Sequence, residues 1–77
     1  MSIDEKFETI LKSVLQLPEF DFADEMQAKN IPGWNSLSHL MVIVALEDGF
    51  NIRFSAAEAL QAKNLKELKE TIQRKLL

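Results

Sequence analysis

Three times in this chain a serine or asparagine stands three places ahead of a glutamate at the head of an apolar pattern: Ser2-Ile3-Asp4-Glu5, Ser55-Ala56-Ala57-Glu58 and Asn64-Leu65-Lys66-Glu67. At that spacing the small side chain takes a backbone N–H of the first helical turn, and the glutamate reaches back to the N–H of the cap. Behind the first start, Ile3, Phe7, Ile10, Leu11, Val14 and Leu15 share one helical face, and Pro18 ends the run because the residue before a proline avoids the α region. A helix over about 3–16 is expected. The second start opens a short helix over about 56–61. The third opens one over about 65–76, with Leu65, Leu68, Ile72 and Leu76 inward and Lys66, Lys69, Glu70 and Gln73 outward. Arg74 and Lys75 suit the negative end of its dipole.

The middle of the chain is less decided. Leu40-Met41-Val42-Ile43-Val44-Ala45-Leu46 is rich in β-branched residues, Asp48-Gly49 is a hairpin turn signal, and Phe50-Asn51-Ile52-Arg53-Phe54 alternates like a strand. Against that, Asn35 or Ser36 is a good N-cap, Leu37, Leu40, Met41 and Val44 follow at helical spacing, and Gly49 could end the helix. Periodicity alone leaves helix and hairpin both open.

Residues 17–35 are a long connection, which needs anchoring in a small domain. Leu17, Phe20, Phe22, Met26, Ile31 and Trp34 can pin it to a core, and residues 21–29 could hold a helical turn. Asp21, Asp24 and Glu25 lack the alternating ligands and central glycine of a calcium loop.

Composition narrows the chemistry. A chain of 77 residues, 47% of them hydrophobic, supports one domain, taken here as 1–77. With no cysteine, one histidine and two glycines, the sequence offers no disulfide framework, thiol nucleophile, metal cluster or phosphate-cradling glycine loop. A self-contained enzyme is not expected, and neither is a metal site. The apolar run 40–46 is far short of a membrane span, and the acidic start is unlike a secretory signal, so a cytoplasmic, monomeric protein without membrane contact is expected. Net charge is −3, while residues 59–77 carry five bases against two acids. Those bases are interleaved with glutamates as on an ordinary solvated face, so nucleic acid is not an expected partner.

Pro32-Gly33-Trp34-Asn35-Ser36-Leu37-Ser38-His39-Leu40, followed by Ala45-Leu46-Glu47-Asp48-Gly49-Phe50, closely resembles the acyl carrier protein family, and the similarity runs over essentially the whole chain. The resemblance implies an all-α, four-helix acyl-carrier-like bundle with a long first loop and a short third helix. The ambiguous middle is then a second helix over about 36–49, and residues 50–54 an extended connector. The expected core is Phe7, Ile10, Leu11, Val14, Leu40, Ile43, Val44, Leu46, Phe50, Leu65, Leu68 and Ile72.

The resemblance further implies that Ser36 is the attachment point for 4′-phosphopantetheine, delivered from coenzyme A by a separate phosphopantetheinyl transferase. An acyl or aminoacyl intermediate would then be held as a thioester and shown to acyl-activating, synthase or transferase enzymes of a biosynthetic pathway, such as fatty acid or polyketide synthesis. The family usually has Asp immediately before the modified Ser, where this chain has Asn35; an asparagine caps as well, but the charge that helps dock the transferase is gone. A degenerate carrier that stays unmodified and works as an interaction module is therefore the alternative. Asn35, Leu37, Ser38, His39, Met41, Glu47 and Asp48 are the expected partner-recognition residues, with Met41 equally placed to be core. His39 lies one turn after Ser36, but no third group orients a Ser–His dyad, so it is expected as an exposed recognition residue. Phe54 and Leu60 would be bulky walls near the space where the family shelters acyl chains, with Ala59 and Ala62 leaving room.

Overall fold

The computed structural model describes residues 3–77, so the first capping box, which begins at residue 2, lies partly outside the described residues. Four α-helices are present among them: α1 (Ile3–Leu15), α2 (Ser36–Phe50), α3 (Ala56–Gln61) and α4 (Leu65–Leu76). There is no strand among the described residues, so the hairpin signals of the middle segment are overridden by helix. Nor is any described helix long and apolar enough to cross a membrane.

The helix ends follow from local chemistry. Gln16 closes α1 in the left-handed conformation (φ 57°), and the Leu17 N–H donates back to the Lys12 carbonyl at 3.0 Å. Asn51 does the same for α2 (φ 56°), with the Ile52 N–H on the Glu47 carbonyl at 3.1 Å. Both are the left-handed closure that satisfies a carbonyl of the last turn. Gly49 is therefore not the stop signal expected. It lies inside α2, where a Cβ built on it would stand 2.5 Å from Cδ1 of Ile10, so it sets how closely α1 and α2 approach. The Ser55–Glu58 capping box forms in full (3.1 and 2.9 Å), and Asn64 caps α4 by accepting the Glu67 N–H at 3.0 Å.

The long loop is anchored through its backbone. The first N–H groups of α4 have no partner within their own helix. Leu65 donates instead to the Met26 carbonyl (3.0 Å) and Lys66 to the Asp24 carbonyl (2.9 Å). Ile31 is buried, Phe20 and Phe22 meet edge to face at 4.9 Å, and the loop's regular structure is a 3-10 turn at Ala28–Asn30. Lys69 of α4 then pairs with both Asp4 of α1 (3.0 Å) and Asp24 of the loop. Burial by itself would lower the Lys69 ammonium, but its hydrogen bonds to Asp24 and Asp4 outweigh that and hold it above its ordinary value.

Phe7, Leu11, Ile43, Leu46, Phe50, Leu65, Leu68 and Ile72 are buried as expected, while Ile10 and Val14 are half-buried. Three expectations fail, and one core residue went unnamed. Leu40 and Val44 face solvent, Leu76 is half exposed, and Val42, which no stripe had singled out, is completely buried. Apolar residues surround α2 on nearly all sides, so helical spacing fits two faces equally well. Packing against α1 selects Val42, Ile43, Leu46 and Phe50 and leaves the stripe of Leu37, Leu40, Met41 and Val44 outside, between 50% and 67% exposed.

Candidate functional site at the start of the second helix

The chain enters α2 through a turn in which Gly33 takes φ +79°, a conformation that L side chains rarely adopt. Asn35 is extended (φ −128°, ψ −170°) and accepts the Ser38 N–H on Oδ1 at 2.9 Å, which makes it the cap left undecided by the sequence. The Ser38 hydroxyl donates to the Gly33 carbonyl at 2.7 Å and braces the turn from inside. Ser36 is thereby the first residue of the helix, and it is exposed. Capping and bracing are carried by its neighbours, and the first turn of α2 holds no acidic residue. The N–H groups of a helix start carry positive partial charge, so an anion beside Ser36 meets no repulsion there.

His39 is not the exposed residue expected. It is half-buried, with both ring nitrogens engaged. The Trp34 indole N–H donates to its Nδ1 at 3.1 Å, and its Nε2 lies 2.7 Å from the Ala59 carbonyl in α3. An indole nitrogen only donates and a carbonyl only accepts, so the network assigns the hydrogen to Nε2 and the lone pair to Nδ1. Neither nitrogen is left to take a proton from Ser36, and the pair is no catalytic dyad. The sequence pointed to Trp34 only as a loop anchor. The signal for more was there, because a largely buried indole needs an acceptor and the chain's one imidazole stands five residues on.

Ser36, Trp34, His39, Leu40, Leu60 and Ala62 line an open, mostly apolar groove of about 610 Å³ between the head of α2 and the end of α3. Leu60 is one of its walls, as expected, whereas Phe54 packs against the core instead. Of the expected recognition residues, Asn35, Leu37, Ser38, His39 and Met41 cluster in the first two turns around Ser36. Glu47 and Asp48 stand near the far end of α2. Asp48 is exposed and borders a shallow apolar hollow with Leu40, Met41 and Val44. The Glu47 carboxylate turns back to accept the Phe54 N–H at 2.8 Å.

No family model and no curated protein matches this chain. Among solved structures, it is similar to a holo acyl carrier protein from Geobacter metallireducens, with a TM-score of 0.86 and 31% identity over 96% of this chain and 84% of that one. It is also similar to a candidate acyl carrier protein from Mycobacterium tuberculosis, with a TM-score of 0.87 over 95% of this chain and 97% of that one. At 19% identity the second likeness speaks for the fold alone.

Proposed function

Because this chain belongs to the acyl carrier protein family, we propose that it holds an acyl or aminoacyl intermediate through 4′-phosphopantetheine on Ser36 and presents it to the enzymes of a biosynthetic pathway. The observation that carries the reading is the position of Ser36: exposed, first in its helix, and on the rim of an apolar groove. Those surroundings fit the group. The N-terminus of α2 favours its phosphodiester, and the groove gives an apolar cargo somewhere to lie out of water. When attached, the group supplies the thiol that a chain without cysteine lacks.

The chain's own residues do the positioning. Asn35 and Ser38 fix the turn that exposes Ser36. The outer stripe of Leu37, Leu40, Met41 and Val44, with Asp48 at its edge, is a surface on which the transferase and the acyl-handling enzymes can dock in turn. Scattered apolar side chains on a surface are ordinary, but four on one exposed stripe beside the attachment serine suit an exchangeable interface.

Intact mass tests the reading. Incubation with coenzyme A and a broad-specificity transferase raises the mass by one phosphopantetheine, and Ser36→Ala abolishes the gain. No gain with any of several transferases would favour the unmodified interaction module, the alternative that Asn35 keeps in play.

A further inference from the structure

Trp34 and His39 do more than join the loop to the second helix. Together with Ala28 and Ala62 they line the outer groove on one side and a small half-open pocket on the other. That pocket, about 30 Å³, is lined by the exposed Lys63 as well as by the buried Leu65 and Leu68, so core side chains lie just behind the two rings. It has room for about one water and no more. The two rings, 5.9 Å apart between centroids and hydrogen-bonded to each other, are the partition between the two spaces.

The same pair holds the third helix in place. No residue of α3 is fully buried. It is tied to α2 by the bond from His39 to the Ala59 carbonyl and to α4 by the pair Glu58–Lys75 at 2.8 Å. Releasing His39 would free α3 on the side that faces the groove and join the small pocket to it.

We propose that the Trp34–His39–Ala59 chain is a gate that limits the length of the acyl group this protein shelters. The inference rests on Ser36 as the attachment point. With the gate closed, a short acyl tail lies in the outer groove against Leu40 and Leu60, and a longer one runs out into solvent instead of entering the core. His39 is thus a specificity-determining residue, and the preferred cargo is the acyl group whose tail the groove in front of it just holds.

Two arms test this. In the first, free S-acyl-pantetheines from butanoyl to dodecanoyl are titrated into the protein and followed by backbone amide NMR shifts. Each sheltered methylene strengthens binding about fourfold, so affinity climbs and then breaks off at the length that fills the groove. His39→Ala moves the break to longer chains. His39→Gln, whose amide can still donate to Ala59, restores it. Trp34→Phe, which keeps a ring but loses the N–H, moves it in the same direction as His39→Ala and serves if that variant does not fold. A break at the same length in folded His39→Ala and Trp34→Phe, or no break in the parent, overturns the gate.

In the second arm, acyl groups of the same lengths are loaded on Ser36, intact mass is recorded, and thioester hydrolysis is timed. Protection that stops growing at the break found with free ligands supports the gate, and protection that keeps growing past it overturns the gate. Failure to gain mass overturns the Ser36 reading, and the free-ligand arm then judges the gate by itself.

Discussion

The carboxylate of Glu47, three turns into α2, accepts the backbone N–H of Phe54 at 2.8 Å and so fastens the extended connector to the helix it has just left. An acid that the family resemblance offered as a docking residue has a structural task. Both groups are partly buried, and a hydrogen bond to a charged group in such a place contributes about 1.5–3 kcal/mol. Glu47→Ala is expected to lower urea-unfolding stability by about that amount, and Glu47→Gln, which keeps an acceptor, by less. An unchanged denaturation midpoint in Glu47→Ala would return the residue to a purely surface role.

The contact between Gly49 and Ile10 makes a prediction with a built-in control. Alanine inside a helix is worth about 1 kcal/mol over glycine. Here the added Cβ meets Cδ1 of Ile10 at 2.5 Å, so that terminal methyl must turn aside, which offsets part of the gain. Cδ1 is the far end of a half-buried side chain that can turn aside. Gly49→Ala is therefore expected to gain less than the full helix increment in the parent, and the full increment in an Ile10→Val background, where that terminal methyl is absent. A double-mutant cycle from thermal melts reads the difference between the two backgrounds, and additive effects would exclude the contact.

Two leucines of α2, six residues apart, should behave oppositely. Leu46→Ala removes a completely buried side chain and is expected to cost about 2–5 kcal/mol. Leu40→Ala, on the exposed stripe, should stay within about 0.5 kcal/mol. Equal losses in chemical denaturation would mean that the stripe is covered in solution.

Acid should loosen the attachment of α3. Glu58 is held below its ordinary value of 4.5, first by the hydrogen bond from Lys75 and then by the Ser55 backbone N–H. A carboxylate depressed in the folded state contributes stability that is complete above the unfolded value and is lost as pH falls through the lower folded one. The parent is therefore expected to lose more stability than Glu58→Gln between neutral pH and pH well below 4.5, as followed by urea midpoints. Parallel curves would show that the pair with Lys75 contributes nothing in solution.

At Asn35 the cap and the missing charge can be separated. Asn35→Ala deletes the acceptor for the Ser38 N–H and should cost about 1 kcal/mol, while Asn35→Asp keeps the acceptor and should leave stability nearly unchanged. If a negative charge before Ser36 aids the transferase, only Asn35→Asp speeds modification, measured as the rate of mass gain. The same loading rate with several transferases would dismiss the charge argument.

Helix starts were legible because they are made by neighbours in the chain. Ser55 and Glu58, Asn64 and Glu67, and Asn35 and Ser38 meet whatever surrounds them. The place of Ser36 at the head of α2 was legible for the same reason, with the family resemblance supplying the helix itself. Gly49 misled because a glycine near a helix end reads as a stop, while its actual cause, Ile10, lies 39 positions away in the chain.

What the sequence determined by itself was therefore the local part: the first, third and fourth helices with their start signals, an anchored loop and a serine at a candidate helix start. The second helix came with the family resemblance. Which face of α2 turns inward belonged to the tertiary structure alone. Leu37, Leu40, Met41 and Val44 keep helical spacing as well as Val42, Ile43, Leu46 and Phe50 do, so no period within one helix can choose between them. The choice is made by where α1 lies, and the bond from His39 to Ala59 exists only once α3 has folded back across 20 positions of sequence. Contacts of that range are set by packing the whole chain at once, and no local pattern encodes them.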